Sequence, residues 1–221
     1  MQEWDVIVVG AGNAAFCAAL AARERVERVL VLERAPEREA GGNSRFTAGA
    51  MRVAYNGVDD LRRLMPDLTD DEVARADFGT YTEEQFLDDM GRITQYRCDP
   101  GLTEILVKRS FETLLWMRGN GVRFAPIWGR QAFKVDGRFK FWGGLTVETW
   151  GGGPGLVEAL TAAAKKNGIE VWYSSPATAL VHDDGGARGV RVRRAGKTIE
   201  VRAGAGSRSA DGEPWSRPGN G

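Results

Sequence analysis

Two hydrophobic periods run along this chain, and the places where one gives way to the other mark its elements. Asp5-Val6-Ile7-Val8-Val9 and Val29-Leu30-Val31-Leu32 are short, nearly unbroken apolar runs. Such runs predict strands buried on both faces, as in a parallel sheet. Between them, Phe16 to Arg25 is rich in alanine and predicts a helix. Arg34 to Gly42 is polar, contains Pro36, Gly41 and Gly42, and predicts a loop. Asn43-Ser44-Arg45-Phe46-Thr47-Ala48-Gly49-Ala50-Met51 follows, mostly small and polar residues whose main chain can lie against something flat. Val58 to Gly119 reads as helical. Thr69-Asp70-Asp71-Glu72 and Thr82-Glu83-Glu84-Gln85 both fit the capping box. Asp99-Pro100 supplies an N-cap and a first-turn proline. The helix after it is expected to space Leu102, Ile105, Leu106 and Leu114 along one face and to stop at Gly119-Asn120-Gly121.

Phe133 to Phe141 alternates around Asp136-Gly137, a strong hairpin signal. Gly151-Gly152-Gly153-Pro154-Gly155 precedes a helix from Leu156 to Asn167, which Gly168 closes. Ile169 to Tyr173 predicts a further strand. Ala177–His182, Gly189–Arg194 and Thr198–Arg202 then predict a small antiparallel meander turning at Asp183-Asp184-Gly185-Gly186 and Ala195-Gly196. The last stretch, Ala203 to Gly221, holds five Gly, two Pro, three Ser and an isolated Trp215. It offers too little apolar surface to fold and is expected to be disordered. The chain has no internal repeat.

Length and composition narrow the picture. The 221 residues suffice for one large or two small domains, and 43% are hydrophobic, enough for a real core. Lys+Arg and Asp+Glu are both 30, so no net field draws the protein to nucleic acid or an anionic membrane. The two cysteines, Cys17 and Cys98, suggest neither a disulfide framework nor a zinc site, and no metal is expected. Cys17, on the first helix, reads as a small buried hydrophobe. Met1-Gln2-Glu3-Trp4 lacks the basic start of a secretory signal. No run approaches the roughly 18 apolar residues of a membrane span. A reducing cytoplasm is the expected setting.

The chemistry gathers at the amino terminus. The first strand runs into Gly10-Ala11-Gly12-Asn13-Ala14-Ala15, then a helix, then a second strand ending in Glu33. This is the order that binds an adenine dinucleotide, with the acid at about the expected 20-residue spacing. Gly10 permits the tight turn, and Gly12 lets the backbone approach a pyrophosphate. The helix presents unpaired N–H groups and a positive dipole end to the phosphates. Glu33 can accept hydrogen bonds from a ribose. The third fingerprint position is Ala15, which the pattern allows.

Other candidates carry less. His182, the one histidine, stands at a strand end beside Asp183-Asp184 and reads as a surface residue of a turn. Arg188, Arg191, Arg193, Arg194 and Lys197 alternate with Val190 and Val192 and read as the wet side of a strand. Gly151 to Gly155 lacks the Lys-Ser/Thr of a nucleotide-binding P-loop. Trp142, Trp150 and Phe141 read as core or interface aromatics. Lys134, Arg138 and Lys140 fit the wet face of the hairpin. Arg45, Arg52 and Arg130 are cations of a type that matches carboxylates with paired donors.

With Gly10-Ala11-Gly12, Glu33 and Gly41-Gly42-Asn43-Ser44 in place, the chain resembles the fumarate reductase/succinate dehydrogenase flavoproteins. Within them it is most similar to the FAD-dependent tricarballylate dehydrogenases. That likeness rests on Gly42 to Ala50, Asp77 to Phe86, Gly129 to Gly137 and Phe141-Trp142-Gly143-Gly144-Leu145-Thr146-Val147-Glu148. It spans about residues 4 to 202. The resemblance implies an α/β, Rossmann-like FAD-binding domain over 1–202, with a parallel sheet, a helical and hairpin insertion at about 58–150, and the meander. It implies FAD as cofactor. Gly10, Gly12, Asn13, Ala14 and Ala15 would hold its pyrophosphate, and Glu33 its ribose with Arg34 alongside. Gly42, Asn43, Ser44, Ala48 and Gly49 would run toward the flavin, near the Gly151–Gly155 turn. Ala177 would meet the adenine through its backbone. Arg45 and Arg130 are the candidates for touching substrate.

The implied reaction removes two hydrogens from adjacent carbons of tricarballylate, a proton and a hydride, giving cis-aconitate. The implied partners are a small tricarboxylate and a membrane-linked acceptor that reoxidises the reduced cofactor, with peripheral attachment at the inner face of the membrane through that partner and no nucleic acid. Relatives of this kind continue, after a strand like Thr198–Arg202, into a closing strand, a cap domain and a second flavin-binding segment. Their proton-transferring arginine lies there, so the resemblance implies no catalytic base among these residues. The change of composition at Ala203 is expected to reflect a frameshifted or truncated gene product, with an open sheet edge. Two other readings stay open. One is an inactive fragment that binds FAD or nothing. The other is a nicotinamide-dependent reductase, which shares the same adenosine half.

Overall fold

The computed structural model describes residues 4–141, 144 and 146–204. The expected disorder of Ala203–Gly221 falls, from Ala205 onward, outside the described residues. So do Trp142, Gly143 and Leu145 of the family-like stretch and Met1-Gln2-Glu3. The chain divides into two units, Met1–Gly42 with Thr161–Gly221, and Asn43–Leu160.

The first unit is built on a parallel sheet. β1 (Val6–Val9), β2 (Val29–Leu32) and β9 (Glu170–Trp172) lie in the order β1-β2-β9. β2 is central and wholly buried, which explains why its sequence is apolar without alternation. Val6 pairs with Val29, and Leu30 with Glu170. α1 (Asn13–Arg23) crosses between β1 and β2 and buries Phe16, Ala19 and Leu20. β10 (Ala177–Asp183), β11 (Gly186–Arg194) and β12 (Lys197–Arg202) form the antiparallel meander.

Alternation on β11 turns Val190 and Val192 inward, where they join Trp4, Leu30, Leu32 and Val201 in one core. Arg191 and Arg193 face solvent, as the pattern predicts. Trp4 packs edge-on to Trp172 at 6.2 Å, and the Arg194 guanidinium lies 3.9 Å from the centre of the Trp172 ring. The free side of β1 carries one pairing among the described residues, the parallel bridge from Trp4 to Ala203. Val9, at the end of β1, is 58% exposed.

The second unit is the insertion. Its helices are α2 (Val58–Leu64), α3 (Asp70–Arg75), α4 (Glu83–Thr94), α5 (Pro100–Gly119) and α6 (Trp128–Gln131). Two small sheets accompany them. One is β3 (Ala50–Met51), β8 (Val147–Thr149) and β5 (Phe124–Pro126), with β8 central. The other is β4 (Ala76–Asp77), β7 (Arg138–Phe141) and β6 (Ala132–Val135). Both capping boxes form, at Thr69–Glu72 and Thr82–Gln85, and Asp99 caps α5 ahead of Pro100. The Asp136-Gly137 hairpin forms with φ of 50° and 83°, the two positive values a tight two-residue turn requires.

Two expectations need correction. α7 runs from Gly152 to Lys166, a full turn ahead of Leu156. The Gly155 N–H already donates to the Gly151 carbonyl, and Pro154 is suited to a first helical turn. On α5 the buried stripe is Thr103, Val107, Ser110, Leu114 and Met117. Leu102, Ile105 and Leu106 are 68%, 61% and 50% exposed. The polar members of the stripe sit inside because their hydroxyls are satisfied. Thr103 donates to the Asp99 carbonyl, and Ser110 donates to the Val107 carbonyl while accepting from the Ala54 N–H.

Thr82→Ala removes one half of a capping box at an exposed helix start. The free energy of unfolding in urea is expected to fall by about 1 kcal/mol, with Thr82→Ser restoring most of it.

Candidate cofactor site

The first unit supplies a turn, a helix start and a buried acid. Gly10 has a φ of +105°, which side-chain-bearing residues rarely adopt. A Cβ placed there would meet only the Ala15 methyl, at 3.9 Å, so the space beside the turn is open. The Gly10 N–H donates to the Leu32 carbonyl at 2.7 Å and ties the turn to the end of β2. Gly12 is the N-cap of α1, and no side chain caps the helix there. First-turn N–H groups such as those of Ala14 and Ala15 therefore face outward with the positive end of the helix dipole.

Glu33 is 6% exposed at the end of β2. Its Oε2 accepts from the Ala11 N–H at 2.9 Å and its Oε1 from the Ala35 N–H at 2.8 Å. The carboxylate is thus fixed to the glycine turn by one oxygen and to its own loop by the other. Each oxygen keeps a lone pair for a ribose hydroxyl. Arg34, next along, is exposed. The sequence reading missed Tyr173, whose hydroxyl is pushed up by burial and by the nearby Glu37 and Glu33 carboxylates. Tyr173 follows the end of β9, and a tyrosine there gives no sequence signal of that neighbourhood. Ala177 is the first residue of β10, beside a register shift that loosens the ladder there. Gly42 lies at the unit's end with an exposed backbone.

The second unit holds the rest of the expected segment. Gly42–Phe46 forms a short 3₁₀ turn, and the chain then reaches β3. Main-chain bonds fasten this segment to the start of α7. The Gly153 N–H donates to the Thr47 carbonyl at 2.9 Å, and the Thr149 N–H donates to the Gly49 carbonyl at 2.9 Å. Thr149 Oγ1 donates to the Gly152 carbonyl at 2.8 Å. A Cβ on Gly49 would overlap Thr149 Oγ1, and one on Gly153 would overlap the Ser44 carbonyl oxygen. The Gly151–Gly155 run is therefore a packing surface for residues 44–49. Thr47 and Thr149 are positioning residues that the sequence reading did not name.

The candidate cations separate. Arg52 donates to Tyr81 Oη at 2.9 Å and to Asp89 Oδ2 at 3.0 Å, so its charge is largely neutralised. Bonds from Arg92 and Tyr81 hold the Asp89 carboxyl below its usual range. Arg138 donates to the Ala76 carbonyl and Lys140 pairs with Asp77, which ties β7 to β4. Lys134 and Arg130 are exposed, and Arg45 is half-buried. His182 is exposed, and Asp183 is occupied by Arg188 and the Gly185 N–H. No metal-binding cluster occurs among the described residues.

The turn, the helix start and the buried acid are the parts of an FAD-binding fold, and comparison with known proteins agrees. The profile of the FAD binding domain family matches residues 5–212. The chain belongs to that family, within the fumarate reductase/succinate dehydrogenase flavoproteins. FAD is accordingly its cofactor, and family members are FAD-dependent dehydrogenases and reductases acting on CH–CH groups.

A probable fumarate reductase of Shewanella frigidimarina is 29% identical over 183 residues, which is 83% of this chain and 27% of the relative. The vinyl phenol reductase of Lactiplantibacillus plantarum is 26% identical over 196 residues, 88% of this chain and 34% of its own. The open conformation of a flavocytochrome c3 fumarate reductase superposes with a TM-score of 0.67 at 25% identity, over 91% of this chain and 32% of that one. A 3-ketosteroid delta1-dehydrogenase of Sterolibacterium denitrificans shares the fold alone, with a TM-score of 0.68 at 16% identity over 93% of this chain and 48% of that one. The chain thus spans about a third or less of the curated relatives quoted. No helix among the described residues is long and apolar enough to cross a membrane.

Gly153→Ala forces a methyl against two main-chain carbonyls and is expected to destabilise the second unit by about 1–3 kcal/mol. Gly119→Ala, at a helix end with open space around it, is the control and leaves the melting temperature level or higher. Thiol labelling gives a separate check. Burial pushes the Cys17 thiol up to about 11, whereas the polar Thr103 and Thr94 side chains beside Cys98 lower it. Iodoacetamide at pH 8 is expected to modify Cys98 well before Cys17, as read by peptide mass mapping.

Proposed function

We propose that this chain is the cofactor-holding part of a longer FAD-dependent oxidoreductase acting on a CH–CH bond beside a carboxylate, with tricarballylate as substrate and cis-aconitate as product. The observation that carries the FAD reading is the Glu33 carboxylate, buried and locked to the Ala11 N–H of the glycine turn. That arrangement joins a sugar-binding acid to a phosphate-binding turn in one rigid piece.

In this reading the turn from Gly10 to Ala15, with Gly12, Asn13 and Ala14 between them, accepts the pyrophosphate. Glu33 accepts hydrogen bonds from the ribose, with Arg34 beside it. Ala177 offers backbone to the adenine. Gly42, Asn43, Ser44, Ala48 and Gly49 line the path toward the flavin, held in place by Thr47 and Thr149. When bound, FAD would accept the hydride that leaves the reacting substrate carbon. The protein supplies placement and charge, and Arg45 and Arg130 are its candidate anchors for substrate carboxylates.

The tricarballylate assignment rests on the likeness of residues 42–50, 77–86, 129–137 and 141–148. The catalytic base is assigned to the part of the longer protein that follows the meander. A redox partner that reoxidises the cofactor completes the cycle. One curated relative is named a cytochrome fumarate reductase, which favours an electron-carrying partner of that class. We place the assembly in the cytoplasm, touching the membrane through that partner. By the same reading, residues 1–202 form one FAD-binding domain with its insertion at about 58–150.

Titration of the purified chain with FAD is expected to quench flavin fluorescence at a one-to-one ratio. Glu33→Gln sets an amide N–H₂ against one of two backbone N–H donors and loses the charged acceptor. It is expected to weaken FAD binding about 10- to 100-fold, the equivalent of ~1.5–3 kcal/mol. A folded chain that ignores FAD, or prefers NADH to it, overturns the reading.

A further inference from the structure

Glu148 is a carboxylate that the cofactor reading does not use. It is the middle residue of β8, the central strand of its sheet. Its register partners are Ala50 on β3 and Ala125 on β5. Directly opposed residues of antiparallel strands share a face. Glu148 therefore stands between two alanine methyl groups on one face of its sheet. Val147 and Thr149 on either side turn the other way and are buried.

The position matters because Ala50 directly follows Gly49, the end of the segment we assign to the flavin half. Burial raises the Glu148 carboxyl above the usual glutamate range, and the Arg130 charge on α6 pulls it partly back. Neither β3 nor β5 brings a titratable group to this face. Arg123, the residue before β5, is occupied elsewhere: it pairs with Asp67 at 2.8 Å and lies 3.9 Å over the centre of the Trp150 ring.

We propose that Glu148 is a proton-exchanging residue of the flavin-binding surface, and that seating FAD is coupled to uptake of a proton on its carboxyl. This rests on the FAD reading above. The physical reason is desolvation. A flat ring laid over two alanine methyls removes water from the carboxylate between them, and an apolar cover favours the neutral acid. One proton is bound, from solvent, at a carboxylate oxygen, and no other bond changes. The sign follows from linkage. If FAD raises the pKa, the protonated form binds FAD more tightly. Affinity is then highest at low pH and falls as pH rises from the free chain's carboxyl pKa through the bound one. Each unit by which FAD raises that pKa makes a tenfold difference in Kd between the two ends of the window.

The test is the Kd for FAD of the full chain, measured by fluorescence quenching from pH 4.5 to 8.5. The wild-type chain is expected to lose affinity as pH rises. Glu148→Gln, which stays neutral, is expected to remove that loss. Arg130→Gln withdraws a charge that favours the ionised carboxylate, and it is expected to move the transition to higher pH. Parallel profiles for wild type and Glu148→Gln overturn the proposal while leaving FAD binding intact. Absence of binding at every pH overturns the FAD reading and this inference with it. Should Glu148→Gln fail to fold, calorimetry of FAD binding to the wild type and Arg130→Gln in buffers of different ionisation enthalpy decides. Proton uptake whose pH dependence moves with Arg130 supports the coupling, and zero uptake overturns it.

Discussion

A single buried carboxylate organises the amino-terminal unit. Glu33 lies where β2 ends, and a carboxyl group with little exposure needs hydrogen-bond partners near it. It takes them from the main chain, the Ala11 N–H on one side and the Ala35 N–H on the other. Its own backbone completes the junction, with its N–H donating to the Trp172 carbonyl and its carbonyl accepting from the Ser175 N–H. The glycine turn, β2 and the strand that follows α7 are thereby fixed to one residue. A cofactor arriving at this place meets a surface already set, so little of its binding energy goes into ordering the protein.

The insertion solves a different problem with small residues. Residues 44–49 must keep their backbone close to the start of α7, and glycine is what lets two main chains come so near. The Thr47 and Thr149 hydroxyls then satisfy carbonyls that such contact would strand. The remaining charges of this unit are mostly spent on holding it together. Asp89 gathers Arg52, Arg92 and Tyr81, and the Tyr55 hydroxyl bonds to the Phe78 carbonyl and the Thr146 hydroxyl. Aromatic packing of Phe78, Trp128, Phe139 and Phe141 stiffens the hairpin side.

Much of this was legible in the chain itself. Runs such as Val29–Leu32 and Thr82–Gln85 have one strong physical solution, so β2 and the cap of α4 came out as written. The Gly10–Glu33 spacing pointed to an adenine dinucleotide for the same reason, and the match to the FAD binding domain family names it as FAD. What the sequence hid were contacts between residues far apart in it. α5 is apolar on more than one side, so its periodicity could not say which side faces inward. Ser110 decided that by finding a donor in Ala54, more than fifty residues away. The bond from Ala11 to Glu33 and the flanking of Glu148 by two alanines are likewise products of pairing. A linear pattern records the residues and leaves their partners unsaid.

The bridge between Trp4 and Ala203 bears on how the molecule is made. These residues stand about 200 positions apart, and closing so long a loop carries an entropic cost that late contacts must repay. The stretch Asn43–Leu160 is continuous, whereas the sheet that carries Glu33 is split between the two ends of the chain. During synthesis the inner stretch leaves the ribosome whole and can settle first. The pair of β1 and β2 must wait, apolar and half-clad, until β9 and the meander arrive. The interval between those events is when the nascent chain most needs a chaperone.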